Sequence, residues 1–143
     1  MNPIIERWEG FRNLCYLDTG GVPTIGYGNI SSVKMADVGV KRITKLEGLE
    51  LLRKDLLVVE PVLMKRFPGL IKNPRRFYAV TSFCFNCGIN AINGKRTKIA
   101  SYIAEEKWQE AAAGMMYWIR DNGKVIDGLV NRRVDEAITL IKG

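Results

Sequence analysis

The sequence has 143 residues, of which 47% are hydrophobic and 26% are charged, so it fits one compact globular domain and excludes a disordered chain. Its formal net charge of +7 favours anionic partners such as cell-wall polymers, nucleic acid or lipid surfaces, without selecting among them. Because the chain contains no histidine, nucleophilic mechanisms of the Ser-His-Asp or Cys-His type are excluded, and acid–base chemistry must fall to carboxylates.

The N-terminal third predicts one helix followed by a small β element. Residues 3–12 have apolar side chains at helical spacing, with Pro3 in the first turn, where proline is tolerated. Between Leu14 and Ile30 the pattern changes to short strands, joined by a turn at residues 18–21. Pro23 indicates an edge or irregular strand. We therefore expect a β lobe over about residues 12–43.

The remainder of the chain predicts helices. Thr44 and Glu47 form a capping box, and the helix that follows runs to about residue 66, with Pro61 as a kink or restart. Later helices are expected at 74–88, near 97–106 and 107–119, and at 128–141. The sequence thus predicts an α+β fold with segregated elements, in which the helical lobe comprises residues 44–143 and the N-terminal helix. Residues 1–143 would form a single domain, with a ligand cleft between the lobes.

Three cysteines, Cys15, Cys84 and Cys87, are too few for a disulfide framework. Cys84 and Cys87 form a C-x-x-C pattern, which could indicate redox chemistry or half of a metal site. They lie in an apolar segment that predicts a buried helix, and no second C-x-x-C or histidine accompanies them. We interpret both thiols as small core groups and expect no metal and no cofactor.

Glu9 and Asp18 form a candidate pair of catalytic carboxylates. Glu9 lies at the end of the first predicted helix beside Trp8, where partial desolvation favours the protonated acid. Asp18 lies on a polar turn, where it should stay ionised. Glycoside hydrolysis needs one carboxyl group that donates a proton and another that activates water or attacks the sugar. The hydroxyl of Thr24, on the next strand, could hold a water against Asp18.

The spacing of these three residues resembles the active-site signature of the phage-type lysozymes, glycoside hydrolase family 24. Further similarities to that family follow in order along residues 9–136, namely Glu9-Gly10, Thr24-Ile25-Gly26-Tyr27-Gly28, Phe83-Cys84-Phe85-Asn86-Cys87-Gly88, Thr97 and Gly128-Leu129-Val130-Asn131-Arg132-Arg133-Val134-Asp135-Glu136. The resemblance implies a lysozyme-like fold and cleavage between N-acetylmuramic acid and N-acetylglucosamine. Glu9 would be the general acid, and Asp18 with Thr24 would position the attacking water.

By the same likeness, Ile30, Phe85 and Arg132 could bind the sugar chain. Ile30 and Phe85 could equally be core residues, and Arg132 or Arg133 could either orient Glu9 or form a solvated pair. The sequence departs from the family at Asn29, where a histidine is usual; asparagine can form hydrogen bonds but cannot pair as a cation.

The resemblance also sets expectations about partners. An endolysin would act on peptidoglycan as a monomer, held in the host cytoplasm until a phage holin gives it access to the wall in the periplasm. The sequence shows no signal peptide, no apolar span for membrane insertion and no nucleic-acid-binding motif. The alternatives are a non-catalytic wall-binding module, a transglycosylase that cleaves without water, and a basic nucleic-acid binder.

Overall fold

The computed structural model describes residues 1–143, which divide into two compact units, residues 1–58 and 59–143. The first unit begins with helix α1, Pro3–Glu9, whose N-terminus is capped by the side chain of Asn2. Gly10 ends the helix with φ 67°, a left-handed conformation that favours glycine. The prediction of a helix to residue 12 was therefore wrong at its C-terminal end.

Strands β1, Arg12–Leu17, and β2, Pro23–Gly26, form an antiparallel pair. Their register aligns Tyr16 with Thr24 and Arg12 with Gly26, so β1 bulges between Arg12 and Tyr16. The bulged residues bond to a neighbouring segment instead: the Cys15 amide donates to the Lys41 carbonyl at 2.9 Å. This arrangement buries Cys15 in a cluster with Ile25 and Ile43.

Helix α2, Lys45–Leu56, opens with the predicted capping box between Thr44 and Glu47. It packs against the strands through Gly48, where an added Cβ would lie only 2.6 Å from the Phe11 ring. Only glycine allows this close approach. The helix thus covers the β1–β2 pair from within the first unit.

The second unit is helical apart from one short hairpin. Its helices are α3, Glu60–Arg66; α4, Pro74–Cys87; α5, Ile99–Ala104; α6, Trp108–Met115; and α7, Asp127–Lys142. Pro61 stands in the first turn of α3, which confirms a helix restart there. Asn73 caps α4 and Gly88 ends it, both as predicted. The α+β assignment is confirmed, with a small β element near the N-terminus followed by a mostly helical chain.

Two details of this unit differ from the predictions. A hairpin of β3, Arg120–Asp121, and β4, Lys124–Val125, turns at Asn122 and Gly123, which both have positive φ. This Asn-Gly pair is a hairpin signal in the sequence that the predicted elements did not include. Cys84 is buried as expected, whereas Cys87, at the C-terminal end of α4, is only partly buried because the helix ends there. No helix of the chain is long and apolar enough to cross a membrane.

Candidate active site

Glu9 is the last residue of α1, as its predicted role requires, and it is partly buried. Its carboxylate lies against the backbone of Gly28, just after β2: a Cβ added at Gly28 would lie 3.0 Å from Oε2. Gly28 also has φ 77°, which disfavours other residues. A glycine at this position thus lets the end of α1 and the loop after β2 approach each other, with the acid between them.

Asp18 follows β1 and is exposed, in agreement with the expected wet setting. Its Oδ1 accepts hydrogen bonds from the backbone amides of Gly20 and Val22, both at 2.8 Å. These two bonds fix the carboxylate on a short turn, as aspartate side chains commonly do. Since both bonds engage the same oxygen, Oδ2 is available for a partner from solvent or substrate.

Thr24 lies in β2 with only 3% of its surface exposed. Its hydroxyl donates to the backbone carbonyl of Val22 at 2.9 Å, and the same carbonyl accepts the amide of Asp18 at 3.0 Å. Val22 therefore bonds to both residues, and it also donates its own amide to Asp18 Oδ1. The structure brings Asp18 and Thr24 together through one shared residue.

Tyr16 lies next to Thr24 in the strand pair, although the sequence predicted it only as a strand residue. It aligns with Thr24 across the strand pair, and the guanidinium of Arg12 lies 3.9 Å from its ring centroid. Burial raises the pKa of the Tyr16 hydroxyl; Arg12 lowers it, and the charges of Glu9 and Asp18 raise it. Tyr16 and Asp18 are two residues apart, so a strand places them on the same face; this spacing was the sequence signal that could have linked Tyr16 to Asp18.

Asn29, which stands where the family usually has histidine, is buried and fully bonded. Its Nδ2 donates to both carboxylate oxygens of Asp55, at 3.0 and 2.9 Å, and its Oδ1 accepts from the amide and hydroxyl of Ser32. Burial raises the pKa of Asp55, and the bond from Asn29 opposes that rise. A neutral amide thus links the loop after β2 to α2.

The three predicted substrate-binding residues have different environments. Ile30 is 57% exposed, directly after Asn29. Phe85 is partly exposed on α4. Arg132 is buried on α7, where it bonds to Glu136 Oε1 at 3.2 Å and to the Ser82 hydroxyl at 3.2 Å. Ile30 and Phe85 thus present apolar surface, whereas the guanidinium of Arg132 has partners within its own unit.

Arg132 and Arg133 do not form a solvated pair, so that alternative was wrong. Arg133 is fully buried and forms an ion pair with Glu136 Oε2, with 2.8 Å between the nitrogen and the oxygen. It donates hydrogen bonds to Asn86 Oδ1 at 2.7 Å and to the Cys87 sulfur at 2.6 Å. Burial raises the pKa of Glu136, and the charges of Arg133 and Arg132 and the hydrogen bond from Ser82 oppose the rise. The shared carboxylate of Glu136 explains how α7 accommodates two adjacent buried cations.

Comparison with known proteins places this arrangement in a family. The family model for phage lysozyme matches residues 6–136, which include the whole site described above. The chain belongs to the phage lysozyme family. The endolysin of Salmonella phage P22 is 33% identical over 132 residues, covering 90% of this chain and 86% of the relative.

Other similar proteins extend this comparison, and a solved endolysin structure confirms the lysozyme-like fold. The endolysin of Bacillus phage B103 is 29% identical over 98% of this chain, which spans about half (52%) of that relative's length. The crystal structure of the active form of the P1 phage endolysin has a TM-score of 0.81, with 28% identity, and covers 98% of this chain and 82% of that one.

Proposed function

We propose that residues 1–143 form one catalytic domain that hydrolyses the β-1,4 bond between N-acetylmuramic acid and N-acetylglucosamine in peptidoglycan. The observation that carries this proposal is the shared anchoring of Asp18 and Thr24 on Val22, together with a carboxyl group at the end of α1 that lies against Gly28 in the loop after β2. Membership of the phage lysozyme family supports the class of reaction. The net charge of +7 suits an anionic wall polymer.

Glu9 is the general acid of this mechanism. It is partly buried against the backbone of Gly28, so a proton there is shielded from bulk water while the group still reaches the surface. During cleavage it donates that proton to the glycosidic oxygen as the bond to the anomeric carbon breaks. The electron pair of the bond leaves with the oxygen, and Glu9 becomes a carboxylate.

Asp18 and Thr24 hold the attacking water. The Thr24 hydroxyl donates its hydrogen bond to the Val22 carbonyl, so the hydroxyl oxygen can still accept a hydrogen bond. Asp18 Oδ2 is a second acceptor. A water that donates one hydrogen bond to the Thr24 oxygen and one to Asp18 Oδ2 has its lone pairs directed away from the protein, toward the anomeric carbon. As the water attacks, its proton passes to Asp18.

Two further proposals concern the sugar chain and the biological setting. Ile30 and Phe85 offer exposed apolar surface for sugar rings, while the sugar contact of Arg132 stays a prediction.

We propose that the protein acts as an endolysin: a monomer that waits in the host cytoplasm and reaches the periplasmic wall through a holin. Expression in a Gram-negative host should be tolerated until the membrane is permeabilised, and prompt lysis without a permeabilising partner would contradict this setting.

The stereochemistry of the product tests the mechanism. Because a water separates Asp18 from the sugar, the two carboxyl groups should stand roughly 6.5–9.5 Å apart and the anomeric configuration should invert. Purified peptidoglycan should lose turbidity, and early proton NMR should show the α-anomer first. A first-formed β-anomer, or a sugar trapped on Asp18, would contradict the water-holding role. Anhydro sugar ends would indicate a transglycosylase, and binding without new reducing ends a wall-binding module.

A further inference from the structure

Two open grooves adjoin in the second unit, and their linings differ in chemistry. The larger one, the basic groove, has a volume of about 600 Å³ and is lined by four cations, Arg66, Lys95, Lys98 and Lys107, and by one anion, Glu105. That carboxylate pairs with Lys107, with 2.9 Å between Oε2 and Nζ. The basic groove therefore carries an excess of positive charge, which the proposed hydrolysis does not use.

The other groove, the apolar groove, has a volume of about 340 Å³. Six of its ten lining residues are aliphatic or aromatic, namely Phe67, Pro68, Leu70, Ile103, Ala104 and Trp108. Arg66 and Glu105 line both grooves, so the two grooves meet at these residues. The Arg66 guanidinium lies 5.3 Å from the centroid of the Phe67 ring and donates to Asn93 Oδ1, a neutral acceptor. A cation thus lies at the junction between a charged and an apolar surface.

The backbone is strained on both sides of α5, the short helix that contributes to both grooves. Lys98, directly before the helix, has φ 52°, and Glu106, two residues after it, has φ 57°. This left-handed conformation is unfavourable for residues that have a Cβ. Lys98 lines the basic groove and Glu106 lines the apolar groove. Residues held in such conformations cluster at functional sites, including those that clamp a ligand.

The two grooves together match an amphiphile that carries a phosphate group. Lysine ammonium groups are compact charges that suit phosphate oxygens, and an adjoining apolar surface favours hydrocarbon. Ser101 and Tyr102 also line the basic groove and supply hydroxyl donors. A nucleic acid would use the basic groove and leave the apolar groove in contact with water. An anionic phospholipid uses both grooves.

We propose that the basic and apolar grooves together bind an anionic phospholipid. The phosphate lies among Arg66, Lys95 and Lys98, and part of an acyl chain lies in the apolar groove beside Trp108. Electrostatic attraction and burial of apolar surface are the two contributions that hold peripheral proteins on membranes. This inference goes beyond the proposed function and does not depend on hydrolysis. Under that function, it would concentrate the protein at the membrane that it must pass.

The test is cosedimentation with vesicles of phosphatidylglycerol and phosphatidylcholine, with pure phosphatidylcholine vesicles as the neutral reference. We expect binding to the anionic vesicles that weakens as salt is added. Replacing both Lys95 and Lys98 with Gln should weaken that binding about thirtyfold, because each basic residue at an anionic bilayer contributes about fivefold. The matched control replaces Lys124 and Lys142, which are exposed and line neither groove, and it should lose much less. Equal losses in the two double variants would overturn the site.

Lys98→Gly separates binding from folding. Glycine adopts a positive φ without strain, so the melting temperature should not fall, whereas vesicle binding should weaken about fivefold. The matched control is Asn122→Gly, which removes no charge from the β3–β4 turn, where Asn122 also has a positive φ, and should leave binding unchanged. Unchanged binding by Lys98→Gly would show that Lys98 has no contact with the headgroup and would overturn the proposal.

Soluble ligands test the apolar groove. Dihexanoyl phosphatidylglycerol, below the concentration at which it forms micelles, should bind at least tenfold more tightly than glycerol 3-phosphate, because only the lipid places hydrocarbon in the apolar groove. Ala104→Gln, which puts a polar side chain there, should reduce that advantage. Equal affinity for the two ligands would indicate a site for free phosphate, and tighter binding of oligothymidylate than of the lipid would indicate a nucleic-acid site. Either result would overturn the proposal.

These outcomes are separate from those of the proposed function. Preferential binding to anionic vesicles by a chain that releases no reducing ends from peptidoglycan would support this inference and refute only the hydrolase. Normal release of reducing ends by a chain that does not distinguish anionic from neutral vesicles would overturn this inference alone.

Discussion

Two groups of charged side chains, one in each unit, show how carboxylates serve different purposes. Asp18 is exposed and held by two backbone amides on a single oxygen. Glu136 is fully buried and held by Arg132, Arg133 and the Ser82 hydroxyl. A carboxylate oriented by neutral donors, with an oxygen left over, can accept a proton during a reaction. One that neutralises two buried cations cannot be protonated without leaving their charges unpaired.

The first prediction concerns Glu9, the candidate acid of the first unit. Glu9→Gln removes the proton donor while keeping the size of the side chain, so lysis of peptidoglycan should fall about a thousandfold while the melting temperature hardly changes. Turbidity loss and calorimetry measure the two effects. The matched control is Glu6→Gln on the same helix, which should keep its activity. A Glu9→Gln protein with more than a tenth of the wild-type rate would refute the assignment of the acid.

The second prediction concerns Glu136 and its two buried arginines in the second unit. Glu136→Gln removes the anion shared by two buried guanidinium groups, which should lower the free energy of unfolding by about 3–5 kcal/mol. Chemical denaturation measures this loss. The control is Glu50→Gln, which breaks an exposed ion pair with Arg53 at 2.6 Å, and whose effect should be much smaller. Equal losses in the two variants would show that burial of the pair does not matter.

This contrast also explains what the sequence could predict. Local signals were reliable: the capping box at Thr44 and the stop at Gly88 depend on neighbouring residues alone. The overextended first helix reflects a Gly10 signal that was present but not used. By contrast, the burial of Arg133 depends on Glu136 meeting Ser82, 54 residues away, which no local pattern reveals.

The residues of the candidate site also differ in whether the sequence could predict them. Glu9, Asp18 and Thr24 could be proposed from spacing, because a family signature spans them. The contact of Arg12 with the Tyr16 ring could not be predicted, because it depends on a bulge that appears only when β1 pairs with β2 and with the segment that follows. Hydrophobic periodicity predicts elements, but not the irregularities within them.

The third prediction concerns the thiols near Glu136. Burial raises the pKa of Cys84 to about 12, so its thiol should stay unreactive toward alkylating reagents at neutral pH. Cys84→Ala should lower the free energy of unfolding by about 1–2 kcal/mol through lost packing, and Cys87→Ala by less, because Cys87 is only partly buried. Activity should follow the folded fraction in both. Lost activity at an unchanged melting temperature, or stoichiometric zinc, would contradict a structural role.

The smallest expected effect comes from giving the first unit a partly buried ion pair, in addition to the exposed pair of Glu50 and Arg53. Asp55 has a raised pKa in the folded protein because of burial, so the folded state binds its proton more tightly than the unfolded state does. Its contribution to stability therefore increases as the pH falls through that raised pKa. Asn29, being neutral, adds no titration to this behaviour.

Asn29→His would add a second titrating group to that dependence. An imidazolium beside Asp55 lowers the pKa of the carboxyl and raises that of the histidine, so the pair stabilises the fold only between those two values and is lost as the pH rises through the histidine's. Since a larger side chain at a buried position also causes strain at every pH, the informative quantity is the difference in unfolding free energy between pH 5 and pH 8. Relative to the uncharged control Asn29→Gln, that difference should increase by about 1 kcal/mol in favour of pH 5. Equal pH dependence in the two variants would show that Asp55 does not sense the charge at position 29, and that the amide serves only to join the loop to α2.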